Sequence, residues 1–125
     1  MQIAPYNHIA ATDNDVLGGR GKQFDNHPGN RWLTDLVHAK FRVHHFGSPQ
    51  ERREIVDEIE GLFHLEGRRA FKLEYDRLVG IWIWVEEPNL RGKIGQKLRD
   101  AYKYSERTAN RLDFDRIFVD ALIHL

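Results

Sequence analysis

The chain has 125 residues, 41% hydrophobic and 30% charged, enough for one domain with a core of its own. Lys plus Arg and Asp plus Glu both number 19, so no overall field draws it toward nucleic acid or anionic lipid. Cysteine is absent, which excludes disulfides and thiolate metal sites and fits an intracellular setting; neither a membrane-spanning apolar run nor a signal-peptide layout is present.

Residues 1–11 show no clear period and read as a flexible arm. A glycine-rich loop, "TDNDVLGGRGKQFDNHPG", then runs to about Gly29. Its glycines permit positive φ and close backbone approach, and its Asp and Asn side chains can cap turns. From Asn30 the spacing of Trp32, Leu33, Leu36, Val37 and Phe41 predicts a helix ending at Gly47, with Asn30 or Asn26 as N-cap. Ser48-Pro49-Gln50-Glu51 predicts a capping box opening a second helix, whose buried stripe is Ile55, Val56, Ile59, Leu62 and Phe63 and whose stop is Gly67.

The period then becomes two. "AFKLEYD" and "IWIWVEE" form a β-hairpin with its turn at residues 76–80. Trp82 and Trp84 share one face, Ile81, Ile83 and Val85 the other, and both faces are expected to be covered. Pro88 and Asn89 break the strand and start a third helix through Leu90, Ile94, Leu98 and Ala101, in which Gly92 and Gly95 permit close approach of another backbone. After a polar break at residues 105–111, an apolar final helix should dock on the domain or on a second subunit. The expected class is α+β: an N-terminal glycine-rich loop, two helices, a hairpin, then one or two helices, with one domain over residues 12–104 and a terminal helix over 105–125. Leu36, Ile55, Ile59, Phe71, Trp84 and Leu98 should share its core.

Several chemistries fail on spacing. "GGRGK" has Val16 and Gln23 where a Walker loop needs Gly and Ser or Thr, and "DNDVLG" lacks two calcium-loop ligands. His38, His44 and His45 lack the spacing of a zinc helix, and no serine has an evident base. The expectation is no catalytic residue, no metal and no cofactor. The loop has two readings. It is either structural or, through glycine amides, Arg20, Lys22 and the helix start at His27-Pro28-Gly29-Asn30, an anion pocket suited to phosphate.

"NDVLGGRG" followed by "NHPGN" resembles the signature of an uncharacterised domain family expanded in diatoms and related algae. Trp82-Ile83-Trp84-Val85 and the Lys93, Gln96, Leu98 and Arg99 of the third helix match that family's later motifs, while "YDRLVG" departs from a lysine-rich approach. The resemblance covers residues 12–101 and implies no role for the matched residues. Our sequence reading is a nucleic-acid-binding module, DNA first, acting in the nucleus through Arg20, Lys22, His27, Asn30, Lys93, Gln96, Lys97 and Arg99 on one face. The alternative is a non-catalytic protein-interaction module that forms homo-oligomers through the terminal helix. No membrane partner is expected.

Overall fold

The computed structural model describes residues 11–18 and 24–123, with the side chains of the last helix as far as Arg111. The expected arm, apart from Ala11, and Arg20 and Lys22 lie outside the described residues. The element order is β1 (Val16–Gly18), α1 (Pro28–Phe46), α2 (Pro49–Leu65), β2 (Ala70–Asp76), β3 (Ile81–Glu86) and α3 (Leu90–Ile123). The domain is therefore α+β, with two helices ahead of the hairpin.

Strand β1 is a departure from the expected loop. It pairs parallel with β2 through Val16↔Ala70, Leu17↔Phe71 and Gly18↔Lys72, which makes β2 the central strand. Three residues are too few to display a period of two, so the strand is invisible in the sequence. Antiparallel β2 and β3 pair from Phe71↔Glu86 to Asp76↔Ile81, as the alternation predicts.

Helix α1 begins two residues earlier than expected. His27 stands at the N-cap, without a side-chain cap bond, and Pro28 opens the first turn with its φ already helical. Neither Asn26 nor Asn30 is the cap. In α2 the capping box is complete: Glu51 N–H donates to Ser48 Oγ (3.2 Å), and Ser48 N–H donates to Glu51 Oε1 (3.1 Å). That helix ends in a Schellman motif, with Arg68 N–H on Phe63 O and Gly67 N–H on His64 O. Gly67 takes φ +66, which a side chain would strain.

The expected break at residues 105–111 does not occur. Helix α3 is continuous for 34 residues, about 50 Å at 1.5 Å per residue. Polar residues are ordinary on an exposed helix, and no proline or glycine interrupts this stretch. Asn89 caps it by accepting from Gly92 N–H (3.0 Å). The side chains expected to dock the terminal segment lie outside the described residues.

The core joins Leu33 and Val37 of α1, Ile55, Val56, Ile59 and Phe63 of α2, and Ile94 and Leu98 of α3. Fully burying a side chain of this kind contributes about 1.5–3 kcal/mol. From the sheet only Val16 is buried with them and Ala70 packs alongside. The expected placement of Phe71 and Trp84 in this core is corrected: both are half-buried, as is Leu36, which packs at its margin. Since paired residues share a face, Leu17, Phe71, Leu73 and Trp84 lie on the side of the sheet opposite Val16 and Ala70, and Phe24 stands edge-on to Trp84 at 5.6 Å.

Candidate nucleic-acid interface

The signature residues bind one another. Asp15 is buried, and its carboxylate accepts from Arg69 Nε (3.0 Å) and Nη2 (2.8 Å) and from Thr12 N–H (2.8 Å). Burial is the largest influence on this carboxyl and pushes its pKa up; the combined hydrogen bonds and charge of Arg69 and Thr12 outweigh it and hold the value below the ordinary 3.8. Arg68 donates to Asn14 O (3.2 Å) and lays its guanidinium over Trp32 at 3.9 Å.

The "NHPGN" half meets this cluster from α1. His27 Nε2 donates to Thr12 O (3.1 Å). Asn30 Oδ1 accepts from Leu17 N–H (2.7 Å), and its Nδ2 donates to Leu17 O (2.8 Å) and Phe24 O (3.0 Å). Its amide thus serves β1 as a substitute strand partner. Both Nδ2 protons are used, so Asn30 is a clamp and the expected phosphate role is withdrawn. His27 uses one ring nitrogen to hold the Thr12 carbonyl.

The structure also separates the expected basic face. Lys97 and Arg99 are two residues apart, about 200° round the helix, so they cannot share a side. Lys93 and Lys97 are exposed on one flank of α3. Gln96 donates to Asp100 Oδ1 (2.8 Å) and accepts from Arg99 Nη2 (3.1 Å), so its amide is engaged within the helix. Arg99 instead lines a groove and lies over Gly95, where a Cβ would meet its Nη1 at 3.2 Å. Side chains, not another backbone, occupy the space beside Gly92 and Gly95. Gly18 and Phe24, the described residues flanking residues 19–23, are held near the start of α1, whereas the groove meets its end, about 24 Å away.

That groove, about 690 Å³, is formed by the end of α1, the beginning of α2 and α3. Arg52, Arg53, Arg91, Arg99 and Lys103 line it with His44 and His45; Glu106 is the one acidic residue among its described lining. Arg52 closes the end of α1 by donating to His44 O (3.2 Å), which also accepts from Gly47 N–H (3.3 Å), and to His45 O (3.0 Å), both carbonyls of the last turn. Arg91 is paired with Asp57 and lies 3.7 Å from Glu60. Arg53 and Lys103 have no acidic partner among the described residues. The groove therefore has built-in charge that no described residue pairs with.

Sequence reasoning missed Arg52 and Arg53 because the surrounding run, counted along the chain, is acidic. Their position was the usable signal: cations near a helix N-terminus oppose its dipole, which calls for another reason to be there.

His44 is buried against this groove, and burial, then the charges of Arg52, Arg99 and His45, lower its pKa from 6.5. The folded protein thus binds this proton less readily than the unfolded chain. Stability should fall as pH drops through 6.5 toward the lower folded value. Urea unfolding between about pH 8 and pH 5 should show a steeper loss for wild type than for His44→Gln. Equal slopes would show that His44 does not carry the effect.

Among the described residues no group of three or more His, Asp or Glu is placed to hold a metal, and no helix is long and apolar enough to cross a membrane. A family model described as a domain of unknown function (DUF6824) matches residues 15–100, from the buried Asp15 into α3. No curated protein and no solved structure matches the chain.

Proposed function

The chain belongs to the DUF6824 family, and from that premise we propose that it is a nucleic-acid-binding module whose cationic groove holds the phosphate backbone. The observation carrying this reading is the convergence of Arg52, Arg53, Arg91, Arg99 and Lys103 from two helices on one groove with a single acid among its described lining. A zero net charge does not oppose it, because clustered charge acts locally within about a Debye length. Arg53, Arg99 and Lys103 contact phosphates; Arg52 and Arg91 hold the walls. DNA is the first ligand to test, and with DNA as partner the protein acts in the nucleus.

Titration with mixed-sequence DNA at several salt concentrations tests this. Log K should fall with log salt by about 0.9 per phosphate neutralised on B-DNA, and Arg53→Glu or Lys103→Glu should flatten the slope by about one unit. Lys93→Glu and Lys97→Glu should change it less. Arg20→Glu and Lys22→Glu form a separate arm, testing the glycine-rich loop. No salt-dependent binding, or equal effects from Lys97 and Arg53, would sink the groove assignment. In that event the interaction-module reading gains, including self-association through the terminal helix; exposed Val43, Phe46 and Tyr104 are its specific support.

A further inference from the structure

We infer that the groove takes single-stranded nucleic acid, with an unpaired base stacked on Phe46 beside it; this rests on the phosphate-binding reading above. Phe46 is the last residue of α1 and is 76% exposed. It is not an isolated apolar side chain. Its ring stands perpendicular to His45 at 4.8 Å and to Tyr102 at 5.9 Å, while those two stack flat on each other at 3.4 Å and 7°. His45 and Tyr102 line the groove, so the aromatic cluster adjoins the cationic wall. Arg52 fixes the carbonyls of His44 and His45, which anchors the cluster's backbone at the end of α1.

Two physical points select a single strand. Reading a duplex requires a convex element that enters a groove about 12 Å wide. Here the cations line a concavity, of a size usual for small-ligand clefts. An extended strand can lay successive phosphates along such a wall, and only an unpaired base has a free π-face for an aromatic ring. Base–aromatic stacking combined with a cationic groove is the physical basis of binding without base-edge readout. Arg99 and Lys103 on α3 and Arg53 on α2 flank the strand, with Phe46 supporting a base at one end.

Fluorescence anisotropy with labelled oligo-dT, oligo-U and a DNA duplex of equal length separates the outcomes. Wild type should bind a single strand about tenfold or more tightly than duplex, and Phe46→Ala should remove about tenfold from single-strand affinity while leaving duplex affinity unchanged. Phe46→Trp should retain binding and show fluorescence quenching when a base stacks on it. The exposed position of Phe46 leaves the core intact, and circular dichroism verifies this. The oligo-dT and oligo-U arms distinguish DNA from RNA as the source of the strand. Equal or tighter duplex binding, with no effect of Phe46→Ala, would overturn the single-strand inference and leave phosphate binding standing. Salt-dependent binding of none of the three probes would overturn both.

Discussion

Gly29→Ala should leave little folded protein, with a loss above about 3 kcal/mol, beyond the usual cost of overpacking. A Cβ at Gly29 would lie 1.9 Å from Asp15 O and 2.6 Å from its carbonyl carbon. Both obstructing atoms are backbone, so no rotamer change relieves the clash. Relief requires the first turn of α1 to retreat from the Asp15 segment. That movement also breaks the Asn30 clamp on Leu17 and uncovers Val16. Gly61→Ala is the control, since nothing lies within 4 Å of its added Cβ and it replaces a helical glycine. Chemical denaturation measures both. A Gly29→Ala loss below about 1 kcal/mol would show that the two backbones are not in contact.

Arg69→Ala should clearly lower stability, though by less than breaking a fully buried pair, because Arg69 is about half exposed. The reason is what it leaves behind: Asp15, with 1% of its side chain exposed, would keep its charge without the two-pronged guanidinium. Arg69 also approaches the Phe71 ring at 5.1 Å, so some packing is lost with it. Arg69→Lys should fall between, keeping charge but not the fork. The pH dependence distinguishes charge from packing. In wild type the depressed Asp15 pKa contributes stability that is present above 3.8 and lost as pH falls through the lower folded value. In Arg69→Ala, burial without its counter-charge raises that pKa, so acidification restores stability. The gap between the two proteins should narrow as pH drops. A gap independent of pH would show that the variant loses packing alone.

Local signals were the legible ones. Ser48 and Glu51 are three residues apart, and each satisfies the other's backbone within one turn, so no distant contact is needed. The same holds for Gly67 at the end of α2, for the hairpin's alternation and for the Asn89 cap. The helical stripe also identified Ile55, Ile59 and Leu98, because burial follows the helix period wherever a helix covers a core. The signature was legible as a constellation, but its role was not. Whether Asn30 clamps β1 or greets a phosphate depends on what stands opposite it, thirteen residues away in sequence.

The sequence by itself determined where most helices and strands form, how α2 is capped and which chemistries lack their ligands, since each depends on neighbours within a turn or two. Tertiary structure alone decided that β1 is a strand, because its ladder lies on β2. It alone turned Asp15, His27, Gly29 and Asn30 into a structural clamp with Arg69. It also brought Arg53 of an acidic stretch beside Arg99 and Lys103. Charge counted along a chain averages over every side of a helix, whereas a groove collects only the sides that face it.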